Sequence, residues 1–390
     1  MSVRNKRIYL DYAATTPLDP RVAEVMRGAQ KHTGNPNSIH REGQIMRGII
    51  DQARHDVAKV FMREPEQIVF TPSATAANNL ALQGVIKRFK KLFPNITPEI
   101  IISPLEHASV YETARALERD EEIILTMLAI DKNGQISPRE LEEKLSTRTA
   151  LVSIQWINNE TGITQPIFAI AKIIQNYRAK NQTAYPFFHT DAVQGAGHLP
   201  LQEVQSTDYI TISAHKIYGP TGAGVLCIPK EPLLDSFIHG GGQENGWWSG
   251  TESTDRIAGC ALAITNAAAE QETQYKHFIA LRSYAKKKLI EHIPEIIFYG
   301  MNEQACPHII SFYIPNVVRP DIALDLEGIA VSSGAACSQQ SVAPSRVLQA
   351  LGASITQAQE SVRVSFGKQT TKEEIDTLVE KIGIIRERSK

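Results

Sequence analysis

Short apolar runs alternate with helix-periodic stretches from about residue 67 to 230. Residues 67–71 (QIVFT) form an apolar run of strand length. Behind it, Leu82, Ile86, Phe89 and Phe93 fall on one helical face. Residues 99–103 (EIIIS) predict another strand, and Val110, Ala114 and Leu117 mark the helix after it. Further strands are expected at 150–156, 185–189, 208–212 and 224–228. Strands that alternate with helices build a mostly parallel sheet covered on both faces.

The texture changes from about residue 261. A long helical stretch runs through Leu281 towards Ile293, followed by strands at 296–299 and 308–314 and a helix-like segment at 321–326. A strand at 361–366 precedes a last helix with Ile375, Leu378, Ile382 and Ile385 inward, and Thr370 with Glu373 fits a capping box at its start. The expected fold is therefore α/β. A large domain with a mostly parallel sheet flanked by helices occupies residues 15–260, and a smaller α+β domain is assembled from residues 1–14 and 261–390.

The chain has 390 residues, 42% hydrophobic and 21% charged, with a formal net charge of −1. This balance gives no basic surface for nucleic acid and no signal for an anionic membrane. No apolar run is long enough to span a bilayer. Residues 1–10 are basic without an apolar centre, so no secretion signal is expected, and a cytoplasmic location follows. The four cysteines, Cys227, Cys260, Cys306 and Cys337, show no CxxC pair and no zinc spacing, so no metal is expected. Three of them read as buried thiols. Cys337 differs, because it sits in a small, polar, glycine-containing stretch (SSGAACSQQ) that reads as a mobile loop where a thiol is accessible for chemistry.

Two apolar strands end in ionisable residues: Phe187-Phe188-His189-Thr190-Asp191 and Ile212-Ser213-Ala214-His215-Lys216. In open α/β sheets the carboxyl ends of strands face the ligand crevice, so Asp191 and Lys216 converge there. The plain reading of such a pair is a buried salt bridge. The functional reading is a pyridoxal-phosphate (PLP) site, which needs a lysine amine for a Schiff base and an aspartate for the pyridine nitrogen. Phosphate ligands are at hand in Ser213 and His215, and in Ser73-Ala74-Thr75 where a helix begins. Ser73 also reads simply as an N-cap. His107, after the EIIIS strand, is either a helix-start histidine or a ring over the cofactor with an acid–base role. Arg363, within a strand, either points to solvent or clamps a substrate carboxylate.

The order of segments resembles the class I cysteine desulfurases (NifS/IscS type), a branch of the class V aminotransferase family, over essentially the whole chain. The resemblance is carried by residues 9–17 (YLDYAATTP), Gly34-Asn35-Pro36, 158–162 (NNETG), 189–194 (HTDAVQ), 213–220 (SAHKIYGP), 240–244 (GGGQE), 332–337 (SSGAAC) and 370–376 (TTKEEID). It implies the type I PLP-dependent transferase fold and a homodimer with sites at the subunit interface. Lys216 resembles the Schiff-base lysine and Cα-proton base. Asp191 would pair with the pyridine nitrogen, Gln194 with the ring oxygen, and His107 would stack on the ring. Ala74, Thr75, Ser213 and His215 would hold the phosphate, joined by Thr251 of the second subunit, with Asn159 also at the cofactor. Asn159 and Arg363 would orient the carboxylate of L-cysteine. Cys337 would accept the sulfur as a persulfide, leaving L-alanine, and pass it to an acceptor protein such as an iron–sulfur scaffold or a tRNA-thiolation carrier. Alternatives are a PLP lyase or transferase acting on selenocysteine or a sulfinate, and a weakened paralogue serving as a regulatory subunit.

Two segments depart from the family pattern. The family's Ser-Gly-Ala-Thr-Glu is here Pro72-Ser73-Ala74-Thr75-Ala76, which predicts crowding at the phosphate turn. Its Glu-Arg-Gly-Leu-Arg-Ser-Gly-Thr is here Glu244-Asn245-Gly246-Trp247-Trp248-Ser249-Gly250-Thr251, with two arginines lost and two tryptophans gained.

Overall fold

A computed structural model describes residues 7–303, 305–333 and 344–388. In chain order its elements are β1 (Ile8–Tyr9), α1 (Pro20–Ala29), α2 (Arg41–Phe61), β2 (Ile68–Thr71), α3 (Ala74–Leu92), β3 (Glu99–Ile102), α4 (Ala108–Arg119), β4 (Ile124–Met127), α5 (Pro138–Lys144), β5 (Thr149–Ser153), α6 (Ile167–Asn181), β6 (Phe187–Asp191), β7 (Tyr209–Ser213) and β8 (Gly224–Cys227). They are followed by α7 (Thr254–His292), β9 (Ile297–Tyr299), β10 (Ile309–Tyr313), α8 (Pro320–Leu326), β11 (Ile329–Ala330), α9 (Arg346–Ala350), α10 (Ile355–Gln359), β12 (Ser361–Ser365) and α11 (Lys372–Arg388).

The central sheet has seven strands in the order β2-β8-β7-β6-β5-β3-β4. Pairs β7–β6, β6–β5, β5–β3 and β3–β4 are parallel, and β8 runs antiparallel to both neighbours. Strands β5, β6 and β7 are buried along their whole length, as expected where helices cover both faces. A three-stranded antiparallel sheet, β12-β10-β9, and the short parallel pair β1-β11 complete the strands. The α/β architecture with a mostly parallel sheet is the one the alternation predicts.

Helix α7 joins the two cores. Its first half places Ile257, Cys260 and Ile264 in the cluster under the large sheet. Its second half places Phe278, Leu281 and Leu289 in the cluster formed with β10, β12 and α11. Among the described residues no helix is long and apolar enough to cross a membrane.

Local details differ from the sequence expectations for physical reasons. β6 starts at Phe187, two residues after the expected position, because Pro186 has no N–H to give a ladder. The capping box of α11 is formed by Thr371 and Glu374, one residue beyond the expected pair. Thr370 is buried instead, and its hydroxyl accepts from the Gly367 N–H at 2.9 Å. Phe93 lies past the end of α3 and is partly exposed, whereas Leu82, Ile86 and Phe89 are buried as the periodicity requires.

Candidate active site

The parallel strands end at one edge of the sheet, and the residues just beyond those ends enclose a cavity of about 260 Å³. Asp191 arrives at the end of β6 and Lys216 on the turn after β7. His107 follows β3, and Asn159 follows β5. Ser73 caps α3 just after β2, and Ala74 and Thr75 open its first turn. Arg363 reaches in from β12 of the small sheet. All of these line the cavity, together with Gln194, Ser213 and His215.

Lys216 Nζ donates to the carbonyl oxygens of Ala13 (2.7 Å) and Ala14 (2.6 Å). The N-terminal strap that supplies these carbonyls is tied down next to the lysine. Thr16 N–H donates to His215 O at 2.9 Å, and its hydroxyl donates to the same oxygen at 3.0 Å. Burial and the neighbouring Lys216 charge push the His215 imidazole down to about 4, so the ring is neutral at physiological pH.

Asp191 is buried and both its oxygens are engaged. Oδ1 accepts from Val193 N–H (3.0 Å) and Oδ2 from Asn78 Nδ2 (2.8 Å). The same Asn78 amide nitrogen donates to Ser109 Oγ at 2.8 Å, and Ser109 Oγ lies 2.8 Å from His107 Nδ1. His107 Nδ1 also accepts from Ser109 N–H (3.2 Å), so the neutral ring carries its proton on Nε2. Burial is the main cause that lowers the His107 pKa, which keeps the ring neutral. His107 is thus both the N-cap of α4 and a wall of the cavity. Asn78 was not legible as a site residue. The one signal was a polar position inside the buried stripe of Ala77, Leu80 and Ala81.

Ser73 is the N-cap of α3, its hydroxyl accepting from Ala76 N–H at 3.1 Å. Its backbone is extended (φ −168°), a conformation open to any residue, so the serine in place of the family's glycine introduces no strain. Close approach occurs at Gly224, where a Cβ would lie 2.8 Å from the Ser73 carbonyl carbon and 2.9 Å from Ala74 N.

Arg363 is buried, not solvent-facing. Its Nη2 pairs with Asp11 Oδ1 at 2.7 Å and its Nη1 donates to Asn159 O at 2.9 Å. Nε has no acceptor among the described residues, a buried donor beside the cavity. Thr251 does not line this cavity. It borders a separate groove with Pro72, Gly222 and Trp248. Trp247 and Trp248 pack, half-buried, on the apolar cluster around Leu80 and Leu234. Glu244, at the end of the GGGQE motif, is buried against Arg54 (2.7 Å) and accepts from Phe70 N–H (2.7 Å). Cys227, Cys260 and Cys306 are free, buried thiols. Cys337 and the rest of its loop from residue 334 to 343 lie outside the described residues.

Residues 8–378 match the family model for class-V aminotransferases. The chain is 38% identical over 393 residues to the cysteine desulfurase IscS of Pseudoalteromonas translucida, covering 98% of this chain and 94% of that one. It is 40% identical over 394 residues to the IscS of Shewanella sediminis, with coverage of 98% and 94%. A solved NifS-like protein superimposes with a TM-score of 0.88 at 34% identity, covering 98% of this chain and 100% of that one. The NifS-like protein of Rickettsia africae gives 0.84 at 30% identity, with 98% and 99% covered. The chain belongs to the class-V aminotransferase family and, within it, to the cysteine desulfurases of the NifS/IscS type, which are pyridoxal-phosphate enzymes.

The cavity fits that cofactor by its chemistry. It offers an amine (Lys216), a carboxylate held in place by hydrogen bonds (Asp191) and the first turn of α3, whose N–H groups have no intrahelical acceptor. Neutral imidazoles lie on two sides, and the guanidinium of Arg363 keeps an N–H without an acceptor among the described residues.

Proposed function

We propose that this chain removes sulfur from L-cysteine, with Lys216, His107 and Cys337 as catalytic groups, and that it delivers the sulfur to an acceptor protein. The observation that carries the assignment is the convergence of Lys216, Asp191, His107 and Arg363 on one cavity from β7, β6, β3 and β12. When bound, the cofactor supplies an electron sink that makes the substrate Cα proton acidic. Asp191 would hold its pyridine nitrogen protonated, Gln194 would donate to its ring oxygen, and Ala74, Thr75, Ser213 and His215 would receive its phosphate.

Arg363 and Asn159 orient the substrate carboxylate, with Arg363 Nε free to donate to it. Lys216 takes the Cα proton. The Cys337 thiolate attacks the substrate sulfur, so an S–S bond forms as the Cβ–S bond breaks, and the electron pair stays with the three-carbon fragment. That fragment takes up a proton at Cβ and regains one at Cα, leaving as L-alanine, while Cys337 keeps the sulfane sulfur. His107, neutral with its proton on Nε2, handles the thiol proton.

The anchoring of the chain on either side of Cys337 supports this role. Ser332 and Arg363 exchange backbone hydrogen bonds of 3.2 and 2.7 Å. Ser345 donates to Glu160 Oε2 at 2.5 Å, next to Asn159. Cys337 is four residues beyond Ser333 in the sequence.

The reading includes a homodimer in which Thr251 of one subunit completes the phosphate site of the other. Its support is that Thr251 lies outside its own chain's cavity. It also includes the division into a large domain, 15–260, and a small domain that carries Cys337. A reducing, cytoplasmic setting is supported by the three free thiols.

The test is to mix the purified protein with L-cysteine, quantify alanine and map sulfur adducts by mass spectrometry. Alanine with a persulfide on Cys337 is the expected result, and Cys337→Ser abolishes both while cofactor stays bound. Alanine formed at wild-type rate by Cys337→Ser would overturn the assignment of the nucleophile.

A further inference from the structure

Behind Gln194, on the side away from the cavity, lies a buried polar chain that the mechanism does not use. Gln194 Oε1 is 3.2 Å from His308 Nε2, and His308 Nδ1 is 3.1 Å from Cys306 Sγ. All three residues are buried, and His198 stacks on the His308 ring at 3.7 Å between centroids with 12° between planes.

The direction of every hydrogen bond in this chain follows from one atom. Gln194 Nε2 lies 2.9 Å from the carbonyl oxygen of Ala13, which only accepts. The amide end facing Ala13 is therefore the NH2 group, and the oxygen faces His308. His308 must then donate from Nε2, so its proton sits there and Nδ1 is the acceptor. The remaining donor is the Cys306 thiol, S–H to Nδ1. Burial raises the Cys306 pKa to about 12 and drives that of His308 well below the ordinary imidazole value, so both groups stay neutral in this arrangement. Cys306 is itself fixed, since its N–H donates to Gly162 O at 2.8 Å.

We propose that His308, with its Nδ1 matched by the Cys306 thiol, is a positioning residue that acts with the Ala13 carbonyl to lock the Gln194 amide so that its second N–H points at the cofactor's ring oxygen. The proposal rests on the placement of Gln194 at that oxygen. The Ala13 carbonyl already favours this orientation, and the His308 Nε2–H strengthens it, because the flipped amide would mismatch both neighbours and turn a carbonyl oxygen towards the cofactor oxygen. The lock also links the small sheet to the cofactor site, because His308 immediately precedes β10 and its carbonyl accepts from Phe366 N–H at 2.8 Å.

The experiment measures three quantities on full-length protein stripped of cofactor and reloaded with pyridoxal phosphate. They are the cofactor Kd, the pH midpoint of the bound cofactor's visible absorbance, and Tm. His308→Gln keeps a donor N–H at the Nε2 position, whereas His308→Met removes it. The expected result is wild-type Kd and midpoint for His308→Gln. For His308→Met, a Kd weaker by about three- to tenfold, as for one lost hydrogen bond, is expected with a displaced midpoint. Cys306→Ser retains a donor to Nδ1 and behaves as wild type, while Cys306→Ala moves both readouts in the direction of His308→Met. This second pair decides the matter if His308→Met does not refold.

Equal losses in His308→Gln and His308→Met, or a midpoint unmoved in His308→Met, would overturn the proposal and leave His308 as packing. Gln194→Met separates the two layers. If it leaves Kd and midpoint unchanged, the placement of Gln194 on the ring oxygen fails. If it alters them while His308→Met and Cys306→Ala match wild type, the lock alone fails.

Discussion

Lys216 and Gln194 share one hydrogen-bond acceptor, the carbonyl oxygen of Ala13, with Nζ at 2.7 Å and Nε2 at 2.9 Å. The strap carrying Ala13 therefore registers the amine and the amide against each other before any ligand arrives. Its own position is fixed from the small sheet, since Ala13 N–H donates to Ser365 Oγ at 2.8 Å. A lysine held by two carbonyls also has a purely structural use, as an anchor for the strap. Lys216→Arg distinguishes the uses, because a guanidinium still donates to both carbonyls but forms no Schiff base. Stability within about 1 kcal/mol of wild type is expected, with complete loss of cofactor trapped on the chain by borohydride reduction and of alanine formation. A Lys216→Arg protein that still formed alanine at the wild-type rate would remove Lys216 from the reaction.

Arg363 is the one basic side chain on the β12 wall of the cavity, and its partners leave Nε unmatched. Asp11 and Asn159 hold the guanidinium in plane, which fits a forked contact with a carboxylate. Lysine retains the charge but not the fork. Arg363→Lys is expected to raise KM for L-cysteine by about ten- to a hundredfold, with the cofactor spectrum unchanged. The check is steady-state alanine release over a wide cysteine range. An unchanged KM would move substrate recognition elsewhere.

Asn78 joins the acid and imidazole sides of the site, donating to both Asp191 and Ser109. The bond to Asp191 Oδ2 holds that carboxylate in its orientation at the cavity. Asn78→Ala is expected to weaken cofactor binding about three- to tenfold and to displace the pH midpoint of the bound cofactor's absorbance. A loss of Tm with that midpoint unmoved would mark Asn78 as packing only.

What could be read from the sequence follows a physical division. Asp191, Lys216 and His107 were legible because each sits where an apolar strand run stops, a one-dimensional signal with a fixed meaning in a parallel sheet. The strand β4 was not, since Ile124–Met127 is a partly exposed edge close behind the acidic run Asp120-Glu121-Glu122 and shows neither a buried run nor clean alternation. Asn78 and the Arg54–Glu244 pair depend on contacts between segments far apart in the chain, for which residue type gives no cue. The same holds for the burial of Arg363. Alternation within β12 placed it on one face, but only the packing of the small sheet against the cavity shows that this face is inside.

Glu160 makes stability depend on pH. Burial raises its carboxyl to about 7, opposed by the Ser345 hydroxyl and by the charges of Arg363 and Arg346. A carboxyl whose folded pKa lies above its unfolded value near 4.5 binds its proton more tightly in the folded state. Its contribution is therefore complete below about pH 4.5 and is lost as pH rises through about 7. The difference amounts to about 3 kcal/mol at most. Glu160→Gln preserves the hydrogen bond from Ser345 without the titration. Urea unfolding at pH 5 and pH 8 is expected to show the variant gaining on wild type as pH rises. Parallel stability curves for the two proteins would show that Glu160 ionises in the folded chain as it does in the unfolded one.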